Sequence, residues 1–129
     1  MFSIQEPLHD MMRENLLSEI KKVFKINKGI KDIVISYFDG TPIVSSTNGE
    51  IEYILSAVAS AFRGIADKVS NMLKVGTFIK LIVHYKDEKI VVFSVDNQFN
   101  ILVRALQDAP LGILIRDTIN LVNRIREYL

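Results

Sequence analysis

Three runs of β-branched and aromatic residues follow one another so closely that only one kind of sheet suits them. They span Thr77–Tyr85, Lys89–Val95 and Phe99–Ala105, and the links between them are Lys86-Asp87-Glu88 and Asp96-Asn97-Gln98. A parallel crossover needs a dozen or more residues, whereas links this short suit antiparallel hairpins. This part of the chain therefore predicts an antiparallel meander of three strands.

An earlier hairpin adds two more strands. Ile33–Phe38 is β-branched and aromatic, Asp39-Gly40 is a strong two-residue turn signal, and Pro42–Ser46 is the return strand. Pro42 should stand at a strand start or an edge, because proline has no amide hydrogen to donate to a neighbouring strand.

Helical periodicity marks three further segments. Apolar residues recur every three or four positions between Pro7 and Ile26, where Ser3 and Glu6 have capping-box spacing. A second helix should span Glu50–Val75 and end at Gly76, and a third should open at Asp108 and Pro110. The predicted fold is α/β (more narrowly α+β), α-β-β-α-β-β-β-α, a five-stranded antiparallel sheet sandwiched by helices in one domain covering residues 1–129.

Composition narrows the class of function. The chain has 129 residues, 49% of them hydrophobic and 24% charged, and no cysteine, which fits a globular domain in a reducing compartment. Sixteen basic against fifteen acidic residues leave no excess of positive charge for nucleic acid. No signal peptide or membrane span is evident. We therefore expect a cytoplasmic protein.

The second helix divides into three sectors on a helical wheel of about 100° per residue. The large apolar sector should pack on the sheet, and it comprises Ile51, Ile54, Val58, Phe62, Ile65, Val69 and Met72. A polar sector should stay in water, and it comprises Glu52, Ser56, Arg63, Asp67 and Lys74. The remaining sector is neither bulky nor strongly charged, and it comprises Tyr53, Ala57, Ser60, Ala61, Gly64 and Lys68.

Small residues in that third sector predict an interface between two chains. Ala57, Ala61 and Gly64 would allow a partner helix to approach closely, and such a contact would offset the roughly 1 kcal/mol that a helical glycine costs. If the strand Thr77–Tyr85 lies at an edge of the sheet, twofold pairing with its copy would protect it from aggregation. The strand residues expected at this interface are Phe78, Lys80, Ile82 and His84.

These features resemble the roadblock / dynein light chain family, whose fold is related to that of profilin. The element order, the segment Ile33–Ile43, the Ala-rich second helix and the Leu111-Gly112 helix start carry the resemblance, which runs from about Leu8 to Leu129. It implies a homodimer or heterodimer in which second helices pack together and third strands join two sheets. Members serve as platforms or regulators of Ras-like small GTPases, endolysosomal adaptors or dynein light chains, and this chain resembles the stand-alone prokaryotic form. The link Asp96-Asn97-Gln98 departs from the family pattern, in which a glycine is common.

The resemblance implies a scaffold that regulates a small GTPase, without a cofactor and without catalysis. Consistent with this, phosphate-binding glycine motifs are absent from the sequence, and His9 and His84 fall on different elements with no cysteine beside them. A ligand-sensing or adaptor module of profilin- or longin-like fold is the alternative, and an enzyme is a third class. Glu52, Arg63 and Asp67 are candidates for contact with a partner protein, and Arg63 is also a candidate arginine finger. A basic cluster is a candidate for binding a membrane surface or an acidic partner, and it comprises Lys21, Lys22, Lys25, Lys28 and Lys31.

Overall fold

The computed structural model describes the backbone of residues 2–128 and the side chains of residues 10–128. Three helices and five strands follow one another in the predicted order. Their bounds are α1 (Phe2–Ile26), β1 (Ile30–Tyr37), β2 (Pro42–Ser45), α2 (Glu50–Leu73), β3 (Lys80–His84), β4 (Glu88–Val95), β5 (Phe99–Leu106) and α3 (Leu111–Arg126).

The five strands form one antiparallel sheet in the order β2-β1-β5-β4-β3. The predicted hairpin and the predicted meander are confirmed. Because β1 pairs with β5, the hairpin β1–β2 joins the meander at the β5 side, and β2 and β3 become the two edges of the sheet.

Helices cover both faces of the sheet, as predicted. On one face α1 and α3 pack against alternate strand residues, and the buried side chains of that layer include Leu16, Ile20, Ile33, Ile101, Leu114 and Leu121. On the other face α2 covers a smaller core, in which Leu55 and Ala59 lie against Val34, Val92 and Leu102. The larger core therefore lies between the sheet and the helix pair α1/α3.

Some element bounds differ from the sequence prediction. α1 begins at Phe2 instead of Pro7, and the expected Ser3–Glu6 capping contact falls among the side chains that lie outside the described residues. β3 begins at Lys80 instead of Thr77, because α2 ends through the left-handed residue Lys74 and the chain needs residues 74–79 to return to the sheet.

The predicted orientation of α2 is right only in part: Val58 and Phe62 pack against the core beneath the helix, as predicted, but the other members of the large apolar sector do not. The sheet-facing residues are Leu55, Ser56, Ala59 and Arg63, of which two had been assigned to the polar sector. Small side chains at 56 and 59 let the helix lie close to the sheet, and this turns the large apolar sector sideways. Ile51, Ile54, Ile65, Val69 and Met72 are all exposed as a result.

Candidate interaction surface

The exposed side of α2 carries a continuous apolar stripe. Its members recur at spacings of three and four residues, so they lie along one side of the helix. We define the apolar stripe as Ile51, Ile54, Val58, Ala61, Ile65, Val69 and Met72. Ile65 is 63% exposed and Met72 is 74% exposed, values far above those of residues packed in a core. An exposed apolar surface of this length is typical of a site that another surface covers.

The apolar stripe faces the β3 edge of the sheet. Ile65 and Val69 line a cleft of about 320 Å³ together with Phe62 of α2, with Phe78 from the segment before β3 and with Leu81 of β3. Leu81 and Val83 are only half-buried, although they lie on the face of the sheet that α2 covers. The apolar stripe and the β3 edge therefore lie side by side, with the cleft between them.

The backbone of β3 is open along its outer edge. Tyr85 donates to the oxygen of Glu88, and Ser94 donates to the oxygen of Ile79, so the odd-numbered residues of β3 are those hydrogen-bonded to β4. By the alternation of an antiparallel ladder, Lys80, Ile82 and His84 direct their N–H and C=O groups outward. Among the described residues, no side chain hydrogen-bonds to these outward groups.

The opposite edge of the sheet is partly protected by the protein itself. Arg13 of α1 donates from Nε to the main-chain oxygen of Ile43, over 2.7 Å, and Pro42 contributes no amide hydrogen to that edge. Natural sheets protect their edges with such proline and charged side chains. β2 has this protection, whereas the corresponding groups of β3 are left available for another strand.

The predicted interface residues of α2 lie beside the apolar stripe. Tyr53 is 65% exposed, and Ala57, Ala61, Gly64 and Lys68 are exposed as well. Ser60 is half-buried, and its hydroxyl donates to the oxygen of Phe38 over 3.3 Å. The small-residue sector and the apolar stripe lie on two different sides of the exposed surface of α2, the stripe towards β3 and the sector towards Phe38, and they share only Ala61.

The predicted interface residues of the edge strand divide between the two faces of the sheet. Phe78 packs against the core beneath α2. Ile82 packs against the core beneath α1 and α3, and Lys80 on the same face lies with Nζ 5.9 Å from the centre of the Phe93 ring. Three of the four predicted strand residues therefore share outward backbone groups and one face of the sheet: Lys80, Ile82 and His84. Phe78 lies on the opposite face.

The expectation that Arg63 stays in water is wrong. It is 4% exposed, and its guanidinium donates to the side chain of Asn100 over 2.8 Å, to that of Asn97 over 2.9 Å and to the oxygen of Phe99 over 3.3 Å. The buried guanidinium therefore binds its own sheet. Asp67, which is half-exposed, lies 3.5 Å from Nε of Arg63.

Glu52 also contacts its own chain, since it accepts a hydrogen bond from the Ser45 hydroxyl. Of the three residues considered for partner contact, Arg63 is buried, whereas Glu52 and Asp67 are partly exposed. The intramolecular role of Arg63 could not be predicted from the sequence. A helical wheel gives the position of an arginine, but it does not show whether the side chain is solvated or bound to buried carbonyl and amide oxygens.

The other sequence candidates have ordinary local partners. His84 lies with Nδ1 3.2 Å from the side-chain oxygen of Gln107, and the side chain of His9 lies outside the described residues. In the lysine cluster, Lys22 pairs with Glu19 over 3.5 Å and Lys31 pairs with Glu88 over 2.6 Å. Within residues 10–128, no group of three or more histidine, aspartate or glutamate side chains is placed to hold a metal ion.

Comparison with known proteins supports the fold. No protein-family sequence model matches the chain, and no curated protein matches it in sequence. Solved structures do match: the chain has the fold of roadblock domains, as its resemblance to that family predicted. None of the helices within residues 2–128 combines the length and apolar character needed to cross a bilayer.

Three solved structures give the extent of the likeness. The roadblock/LC7 domain from Streptomyces avermitilis has a TM-score of 0.82 at 15% identity and covers 87% of this chain and 95% of its own. The gliding protein MglB from Thermus thermophilus has a TM-score of 0.79 at 9% identity, covering 91% and 90%. An MglB structure with a tetrameric arrangement has a TM-score of 0.78 at 10% identity, covering 92% and 93%.

Proposed function

We propose that this protein is a non-enzymatic scaffold that pairs, through the apolar stripe and the β3 edge, with a second copy of itself or with a paralogous roadblock protein. The exposure of the apolar stripe directly beside the open edge of β3 carries this proposal. A second copy, related by a twofold axis, would cover both features at once, because its own β3 would occupy the outward hydrogen-bonding groups while its α2 covered the apolar stripe.

The proposed interface changes one detail of the sequence-based hypothesis. Its helix contact is centred on the apolar stripe instead of the sector around Ala57, Ala61 and Gly64. Residues 64 and 65 point about 100° apart on a helix, so the two alternatives predict different effects of neighbouring substitutions. In the strand part of the interface, Lys80, Ile82 and His84 are kept from the sequence-based hypothesis, whereas Phe78 packs against the core beneath α2.

A matched set of glutamate substitutions tests the interface. Ile65→Glu places a charge in the apolar stripe, Gly64→Glu places the same charge in the small-residue sector, and Ser18→Glu places it on the exposed side of α1. We expect sedimentation equilibrium to give a dimer for the unmodified chain and for Ser18→Glu, and a monomer for Ile65→Glu. An unmodified chain that stays monomeric at tens of micromolar contradicts the pairing of the chain with a second copy of itself. A dimer that survives Ile65→Glu but not Gly64→Glu restores the small-residue sector as the contact.

The partner implied by the resemblance is a Ras-like small GTPase, whose nucleotide cycle or location the dimer would modulate. The resemblance to roadblock domains supports this role, as does a fold similar to that of MglB gliding proteins. The test uses the Ras-like GTPase encoded closest to this chain in its genome, with nucleotide release and hydrolysis measured with and without the dimer. The Ile65→Glu monomer is the control. Unchanged rates together with no binding in either nucleotide state contradict the proposed regulation.

A ligand-sensing function is the second candidate, and one observation favours it. A cleft of about 360 Å³ lies beside the β1–β2 and β4–β5 turns, and both polar and aromatic side chains line it. Its lining residues include Phe38, Arg63, Asp67, Asn71, Phe78 and Asn97. Binding to the native state alone raises the melting temperature, so a thermal-shift screen of polar metabolites distinguishes this function from a pure scaffold. Absence of any shift removes the second candidate.

A further inference from the structure

His84 lies on β3, the edge strand proposed for dimerisation, and has Lys89 of β4 beside it on the same face of the sheet. The cross-strand register pairs His84 with Lys89 of β4, and Lys80 with Phe93. Lys89 is almost fully buried, and its Nζ donates to the main-chain oxygens of Gln107, over 3.0 Å, and of Ala109. The amino group of Lys89 thus lies on the same face as His84, one strand further into the sheet.

Twofold pairing of β3 would add a second positive charge on the other side of His84. Only Lys80, Ile82 and His84 offer outward N–H and C=O groups within β3, and two antiparallel copies overlap fully along Lys80–His84 when Ile82 meets its own copy on the axis. In that register His84 of one protomer lies directly opposite Lys80 of the second copy, and the arrangement occurs twice. Directly opposed side chains have Cβ atoms only about 4.5–5.5 Å apart.

The sequence places Asp87 and Asp108 near His84 along the chain, in the β3–β4 turn and after β5, but neither carboxylate is bonded to its imidazole. The group facing it from the segment after β5 is Gln107, which is neutral, and the group facing it from β4 is Lys89. Within the described part of the chain, no carboxylate forms an ion pair or hydrogen bond with the imidazole. An imidazole is neutral in mildly alkaline solution and gains a positive charge in mildly acidic solution.

We infer that mild acidification dissociates the dimer, because charged His84 would then lie between Lys89 of its own protomer and Lys80 of the second copy. This inference rests on the proposed pairing of β3 and adds a mode of regulation to it. The neutral imidazole is compatible with the strand pair, whereas the charged form places like charges opposite each other at two symmetry-related positions. The interface would therefore respond to pH in the range where other ionisable side chains scarcely change their charge.

The experiment measures the dimer dissociation constant at about pH 7.5 and about pH 5.5, with circular dichroism confirming that the fold is intact at both values. We expect the constant of the unmodified chain to rise about tenfold on acidification. His84→Gln keeps a polar side chain without a titrating charge and should remove the response. His9→Gln, which alters the other histidine of the chain, should leave it unchanged.

Two further variants locate the repulsion. His84→Lys carries its charge at both pH values and should give the weaker dimer at both, whereas Lys80→Gln should strengthen the acidic dimer. A dimer at about pH 7.5 whose dissociation constant changes less than about twofold on acidification overturns the inference and leaves the proposed interface standing. Equal responses of the unmodified chain and His84→Gln also overturn it. A monomer at about pH 7.5 overturns the interface and the inference together.

Discussion

The guanidinium of Arg63 in α2 is joined to the side chain of Asn97 at the tip of the β4–β5 turn, with Nη2 2.9 Å from Oδ1. Asp96 and Asn97 both have positive φ, at 50° and 59°, as the central residues of a type I′ hairpin turn do. Asp96 is bound in turn from the other face of the sheet, where Nε of Arg126 in α3 lies 3.3 Å from its carboxylate. One turn therefore connects the helices on the two faces of the sheet.

Replacing Arg63 by methionine should destabilise the protein by about 2–4 kcal/mol. Methionine retains much of the apolar volume, but the side chain of Asn100 loses its donor in a buried setting, and that of Asn97 loses its donor at the turn. Urea denaturation of the monomeric Ile65→Glu background measures the loss. Arg124→Gln removes an exposed guanidinium that pairs with the exposed Glu127, and it should change stability by less than about 0.5 kcal/mol. Comparable stability of the two variants would show that the buried contacts contribute little.

The fold could be predicted from the sequence because its determinants are local. Asp39-Gly40 is a turn signal wherever it occurs, and links as short as Asp96-Asn97-Gln98 allow only antiparallel neighbours. The orientation of α2 could not be predicted in the same way. The helix has two apolar sides, one with Leu55 and Ala59 and one with the apolar stripe. Hydrophobicity alone does not show which of the two packs against the sheet and which remains exposed.

The candidate site was predicted in part for the same reason. The outward residues of β3 follow from strand alternation once the edge is known, so Lys80, Ile82 and His84 could be proposed together. The protection of the β2 edge could not be foreseen, because Arg13 and Ile43 are 30 residues apart in the chain and their contact depends on where α1 crosses the sheet.

Replacing Arg13 by glutamine should open the β2 edge and promote association through it. The hydrogen bond to the oxygen of Ile43 is charge-assisted and partly buried, so its loss should cost about 1 kcal/mol of stability. The larger effect should be faster aggregation on mild heating, followed by light scattering. Lys25→Gln is the matched control, since it removes one exposed positive charge from the same helix. Equal aggregation of the two variants would mean that Pro42 alone protects this edge.

Glu88 should contribute an acid-sensitive part of the stability. Hydrogen bonds from Arg104 and Lys31 lower the pKa of Glu88 from 4.5 to about 2. A lowered pKa means that the folded state binds this proton less readily than the unfolded state. The stabilisation is therefore fully present above pH 4.5 and is lost as pH falls from 4.5 towards 2.

The check is the urea midpoint as a function of pH in that window, compared with the midpoint at neutral pH. Glu88→Gln should be less stable than the unmodified chain at neutral pH, and the difference should shrink on acidification. Glu14→Gln, a substitution of an exposed glutamate on α1, should follow the unmodified chain throughout. A stability difference for Glu88→Gln that stays constant from neutral pH to pH 2 would remove the charge of Glu88 as its cause.

A substitution at Gly64 distinguishes an effect on the stability of the monomer from an effect on dimerisation. An added Cβ at this position meets no atom within 4 Å, so Gly64→Ala should stabilise the monomeric background by about 1 kcal/mol through helix propensity. If the dimer forms through the apolar stripe, as Ile65→Glu should show, the same substitution leaves the dissociation constant within about twofold of its original value. If the dissociation constant and the monomer stability both rise, the backbone of the partner lies against residue 64. The added methyl group would then clash with the second chain, although it clashes with nothing in its own chain.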